Sequence, residues 1–176
     1  MYMKKGYARF ATPDIQTDSI VDGEGIRSVI WFQGCSHNCL GCHNSETHDF
    51  NAGVEVSIED MKVKIDELEY QSGVTFSGGD PMMQVEALKE LAAYVKKKGM
   101  NVWVYSGYTF EELMILAEKN DIYRQALEYI DVLVDGKFIL ELKSFDVQFR
   151  GSSNQRILDV KKSLEKNKAV KITRYK

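Results

Sequence analysis

The sequence predicts an α/β fold: one domain, residues 1–176, built on a parallel sheet curved into a partial, open βα barrel. Three observations lead there. Apolar, β-branched runs alternate with amphipathic helical stretches along most of the chain, which is the pattern of strand–helix–strand crossovers. Two glycine-bearing loops each follow directly on such a run, where parallel sheets bind ligands. The length is too short for eight βα units, so the barrel cannot close.

The elements can be justified in order. "SVIWFQ", residues 28–33, reads as a buried strand that runs straight into the cysteine-bearing stretch "GCSHNCLGCHN". "SIEDMKVKIDELEY" has Ser57 as an N-cap candidate with Asp60 three residues on, and Ile58, Met61, Ile65 and Leu68 at helical spacing. "VTF", residues 74–76, is a short strand entering "SGGDP". "QVEALKELAAYVKKKG" repeats the helical pattern through Val85, Leu88, Leu91 and Val95, with Lys96, Lys97 and Lys98 in the last turn and Gly99 as the stop. "NVWVYSG" is a strand, "TFEELMILAEKN" a capped helix with a second short one after Asp121, and "IDVLVDGKF" another buried strand. "NQRILDVKKSLEKN", residues 154–167, is expected to be helical, and "AVKITRY", residues 169–175, to form a last strand.

The totals exclude several classes. With 23 basic and 26 acidic residues the net charge is −3, so no nucleic-acid footprint is present. No apolar run approaches the roughly 20 residues of a membrane span. The first residues, "MYMKKGYARFATPD", have neither an apolar core nor a cleavage-like site, so no signal peptide is read and a cytoplasmic setting is expected.

All three cysteines, Cys35, Cys39 and Cys42, fall within eight residues. An odd number of thiols cannot pair completely within the chain, and these sit among Gly34, Ser36, Asn38 and Gly41 rather than among core residues. Two metal readings stand. Three thiolates with His37 or His43 would make a Cys3His zinc site and a non-enzymatic adaptor. A [4Fe-4S] cluster held by only three cysteines would leave one iron open to a substrate.

The spacing C-x3-C-x2-C in "CSHNCLGC" resembles the radical S-adenosylmethionine enzymes. The longer stretch "VDGEGIRSVIWFQGCSHNCLGCHN" looks like the activating enzymes of glycyl radical enzymes. Gly41 before the last cysteine, "ETHDFNAG", "SGGDP", "VLVDGKF" and "FRGSSNQRI" are similar to the branch that serves the anaerobic (class III) ribonucleoside-triphosphate reductase, from about residue 18 to residue 160. His43 departs from the Tyr or Phe common after the third cysteine, and Asp80 stands where Glu is common outside this branch.

The resemblance implies a radical-SAM partial barrel with two cofactors, a [4Fe-4S] cluster on Cys35, Cys39 and Cys42, and S-adenosyl-L-methionine. It implies reductive cleavage of that cofactor to a 5′-deoxyadenosyl radical, and installation of a glycyl radical in the reductase; another glycyl radical enzyme is the alternative target. The implied partners are that reductase and a flavodoxin or ferredoxin electron donor. Cofactor contacts are expected from Gly41, Cys42, His43, Ser77, Gly78, Gly79, Asp80, Asp135 and Lys137, with a salt-bridged strand end as the equal alternative for Asp135 and Lys137. Glycines at a strand end let a ligand approach the backbone, and Pro81 fixes the turn that follows. Arg27 is a candidate anion or partner contact, His37, His43 and His48 carry no assigned role, and the tail from Lys161 to Lys176 holds seven basic residues against one acid. That tail is expected to be a solvated helix face and edge strand, with docking of an acidic partner surface as the other reading.

Overall fold

A computed structural model describes residues 4–175. Residues 1–3 of the N-terminal stretch and Lys176 of the basic tail lie outside the described residues. The sheet is assembled around β3 (Arg27–Phe32), β5 (Gly73–Gly78), β6 (Asn101–Ser106) and β7 (Val132–Asp135), which pair in parallel in that order. β5 is buried at all six positions, as a central strand covered on both faces must be.

The expectation of an all-parallel sheet is corrected at both flanks. β1 (Tyr7–Phe10), β2 (Gln16–Ser19) and β4 (Val54–Ser57) add antiparallel on the β3 side, and β8 (Arg156–Asp159) adds antiparallel to β7. The order is β4-β1-β3-β5-β6-β7-β8, with β2 also on β3. The three N-terminal strands are four residues each, too short to establish a period in sequence.

The helices follow their apolar stripes. α1 (Ile58–Asp66) is capped by the Ser57 hydroxyl, which accepts from the Asp60 N–H, and it buries Ile58, Met61 and Ile65. α2 (Val85–Lys97) buries Val85, Leu88, Leu91 and Val95, each contributing about 1.5–3 kcal/mol, so Leu88→Ala would cost about 2–5 kcal/mol. α3 (Phe110–Lys119) begins with a complete capping box between Thr109 and Glu112, and α4 (Ile122–Leu127) follows.

Residues 154–167 do not form one helix. Asp159 splits them: its side chain caps α5 (Val160–Lys166) by accepting from the Lys162 N–H, and Ile157 and Leu158 are left to pair with β7. The expected last strand is also corrected. Residues 169–172 run beside β8 with one isolated bridge, Leu158 to Lys171, and the chain then turns towards Trp103. Among the described residues no helix is long and apolar enough to cross a membrane.

Candidate functional site

Each predicted loop leaves the carboxyl end of a parallel strand. β3 ends at Phe32 and delivers Gly34 and Cys35, and β5 ends in Ser77 and Gly78. The two segments are stitched backbone to backbone: the Gly79 N–H donates to the Phe32 carbonyl at 2.8 Å, and the Asp80 N–H donates to the Gly34 carbonyl at 3.0 Å. Side chains do not fit there. A Cβ on Gly78 (φ +103°) would strike the Phe32 carbonyl oxygen, and one on Gly79 would strike that of Gly34.

The loop is tied down on its far side as well. The Gly34 and Cys35 N–H groups donate to the Thr47 and His48 carbonyls at 2.8 and 3.0 Å. Cys35, Cys39 and Cys42 are free thiols lining one cavity of about 740 Å³. Ser77, Gly78 and Gly79 line the same cavity, joined by Asp22, Tyr105, Ser106, Gly136 and Phe149. Burial pushes the Cys35 thiol up to about 11, against backbone N–H donation from His37, and raises Cys42, against donation from Asn44.

These cysteines suit a cluster. The sulfurs face one cavity, two of them already receive backbone N–H groups of the kind that stabilise ligating thiolates, and no disulfide competes. Among the described residues no three His, Cys, Asp or Glu side chains are grouped as around a single metal ion. His37 turns to Asp80 instead, and His43 packs its ring on Phe138 at 5.1 Å.

The remaining expected contacts divide. Cys42, His43, Ser77, Gly78 and Gly79 line the cavity; Gly41, Asp80, Asp135 and Lys137 do not. Gly41 faces Leu140, and Lys137 is exposed outside the cavity. Asp80 is 1% exposed and already accepts from the Met82 N–H (2.9 Å), the Ser106 hydroxyl (2.9 Å) and the Gly107 N–H (2.9 Å), with His37 Nε2 at 2.7 Å. Asp135 is fully buried between Arg156 and the Phe110 N–H. Both carboxylates sit at strand ends as expected, but their hydrogen bonds point them into the protein.

Arg27 is no surface contact. It is fully buried, donates to Thr75, Asn101 and the Val74 carbonyl, and stacks on Trp103. The basic residues of α5 are solvent-exposed. In the tail, Arg174 pairs with Glu24, and Tyr175 packs on Trp103 and Phe149. The sequence reading passed over Asp22, Ser106 and Gly107, although "YSG" at the end of β6 repeats the strand-end signal of "SGG".

Fold and site together define an iron–sulfur α/β protein, and the family described as "4Fe-4S single cluster domain" matches residues 21–158. The chain is 38% identical over 149 residues to the anaerobic ribonucleoside-triphosphate reductase-activating protein of Haemophilus influenzae, covering 78% of this chain and 90% of that one. Proteins of the same name from Vibrio cholerae (37%) and Escherichia coli K12 (35%) match over 78% and 77% of this chain and 90% of their own. The chain belongs to the family of anaerobic ribonucleoside-triphosphate reductase-activating proteins. The matched family description names a single [4Fe-4S] cluster, which the three free cysteines on one cavity suit.

Proposed function

We propose that this protein activates an anaerobic ribonucleoside-triphosphate reductase by installing a glycyl radical in it. The observation that carries the reading is the meeting of three free cysteines and the Ser77–Gly79 strand end on one cavity. Cys35, Cys39 and Cys42 would hold the cluster and leave one iron for the second cofactor. When bound, the pair supplies reductive cleavage of a carbon–sulfur bond to a 5′-deoxyadenosyl radical that takes a hydrogen atom from a glycine of the reductase.

The chain's own share is binding, orientation and exclusion of water. Gly78 and Gly79 let this strand end pack against the Phe32 and Gly34 backbone while lining the cavity. Carbonyl groups at that strand end suit an ammonium group, while Tyr105, Phe138 and Phe149 give the cavity an apolar wall. We read the sheet as a partial barrel whose mouth the reductase covers. Ile20, Val21 and Phe145 line the cavity and are 71%, 70% and 94% exposed, surface that a partner would take from water. A flavodoxin or ferredoxin would supply the electron, and three unpaired thiols suit a reducing cytoplasm.

The test is anaerobic reconstitution with iron and sulfide. About four irons per chain are expected, with 5′-deoxyadenosine formed on adding dithionite and S-adenosylmethionine and a glycyl radical signal on adding the reductase. Loss of iron and product in Cys39→Ala supports the reading. One zinc, no iron and no cleavage would overturn it.

A further inference from the structure

We propose that Asp80 and His37 form a clamp that sets the cysteine loop against the ends of β5 and β6, making Asp80 a positioning residue rather than a cofactor contact. The inference rests on the functional reading above and concerns how this chain prepares its cysteines.

His37 is the middle residue of the three that separate Cys35 from Cys39. Its side chain is 8% exposed, and its ring is held on three sides. Nε2 lies 2.7 Å from the Asp80 carboxylate. Tyr108 meets the ring edge to face at 4.7 Å. The Gly107 backbone lies so close that a Cβ there would run into the imidazole. Asn38, next to His37, takes the left-handed conformation at φ +49°, so the anchored ring adjoins a fixed, uncommon backbone position.

Asp80 is the hub of this arrangement. It reaches three separate segments: the turn after β5 through the Met82 N–H, the end of β6 through Ser106 and Gly107, and the cysteine loop through His37. Four donors around a carboxylate with 1% exposure leave little capacity for a ligand's ammonium group. Ser77, Gly78 and Gly79, by contrast, present backbone to the cavity. The carboxylate therefore fixes where Cys35 and Cys39 stand, and backbone groups receive the ligand.

Loss of one hydrogen bond to a charged buried group should speed iron release from cluster-loaded protein to an excess chelator by about tenfold. We expect that change in His37→Ala and in Asp80→Ala, with the double variant no faster than the worse single one. S-adenosylmethionine affinity, measured by equilibrium binding to protein that still holds its cluster, should stay within about threefold. His37→Gln, which keeps a donor for Asp80, should restore most of the wild-type release rate.

The proposal is overturned if Asp80→Ala weakens S-adenosylmethionine binding by about a hundredfold with iron release unchanged, or if the two substitutions act additively. Should Asp80→Ala fail to fold, the His37→Ala and His37→Gln pair decides. Amide hydrogen exchange across residues 35–39 of metal-free protein separates this inference from the functional one. Faster exchange in His37→Ala supports the clamp even if the wild type takes up no iron, and unchanged exchange removes it.

Discussion

Asp135 and Arg156 face each other across the β7–β8 register, and the guanidinium reaches both carboxylate oxygens, at 2.8 and 2.5 Å. The same carboxylate accepts from the Phe110 N–H at 2.7 Å, so one fully buried group joins the antiparallel edge strand to the start of α3. Arg156→Ala would leave Asp135 charged, buried and short of donors. The expected loss is about 3 kcal/mol, the low end for a broken buried pair because Arg156 keeps 22% of its side chain exposed. For a chain of this size that lowers the melting temperature by on the order of 10 °C, readable by thermal denaturation of metal-free protein.

Arg156 also reaches Glu111 at 2.6 Å, and this hydrogen bond holds the Glu111 carboxyl below its ordinary value of 4.5. A depressed carboxyl binds its proton more weakly in the folded state. Its contribution is present above the unfolded value and fades as pH falls through the lower folded one. Between pH 5 and pH 3 the wild type should therefore lose stability faster than Glu111→Gln. Parallel acid denaturation curves for the two proteins would remove the pair as a contributor.

Gly78→Ala tests the stitching of the two loops. The substitution forces a Cβ against the Phe32 carbonyl and places alanine at φ +103°, a strain of at least about 2 kcal/mol. A lower urea midpoint for the metal-free protein, together with reduced iron uptake, is expected. An unchanged midpoint would mean that the strand end can open without cost.

Thiol chemistry offers a fourth check. Cys35 is 8% exposed and its thiol is pushed up to about 11, from an ordinary value of 9.0. At neutral pH its thiolate fraction is therefore about one hundredth of an ordinary cysteine's. Metal-free protein treated with iodoacetamide at pH 7.5 should be alkylated last at Cys35, as peptide mapping over time would show. Early alkylation at that position would mean that the loop swings open in solution.

The parallel centre of the fold was legible because its strands are apolar runs with their own flanking signals: β3, β5, β6 and β7, with α1, α2 and α3 between them, fall where Val29, Phe76, Val104 and Leu133 point. The antiparallel flanks were not, because β1, β2 and β4 are four-residue pieces whose pairing is decided by distant partners. Asp159 shows the same limit at closer range. Its role as a cap divides an apolar pattern that reads equally well as one long helix. At the site, backbone-dependent features were visible in "GC" and "SGG" as residue types. The direction of a carboxylate was not, since Asp80 and Asp135 turn inward to partners 27 and 21 residues away, Gly107 and Arg156.

The aromatic contact of Trp103, Phe149 and Tyr175, with the Glu24 to Tyr175 hydrogen bond beside it, spans 151 residues of chain. On a ribosome this contact cannot begin until residue 175 has been made, long after the cysteines have emerged. Phe149 lines the cavity, so that wall leans on a contact made late in synthesis.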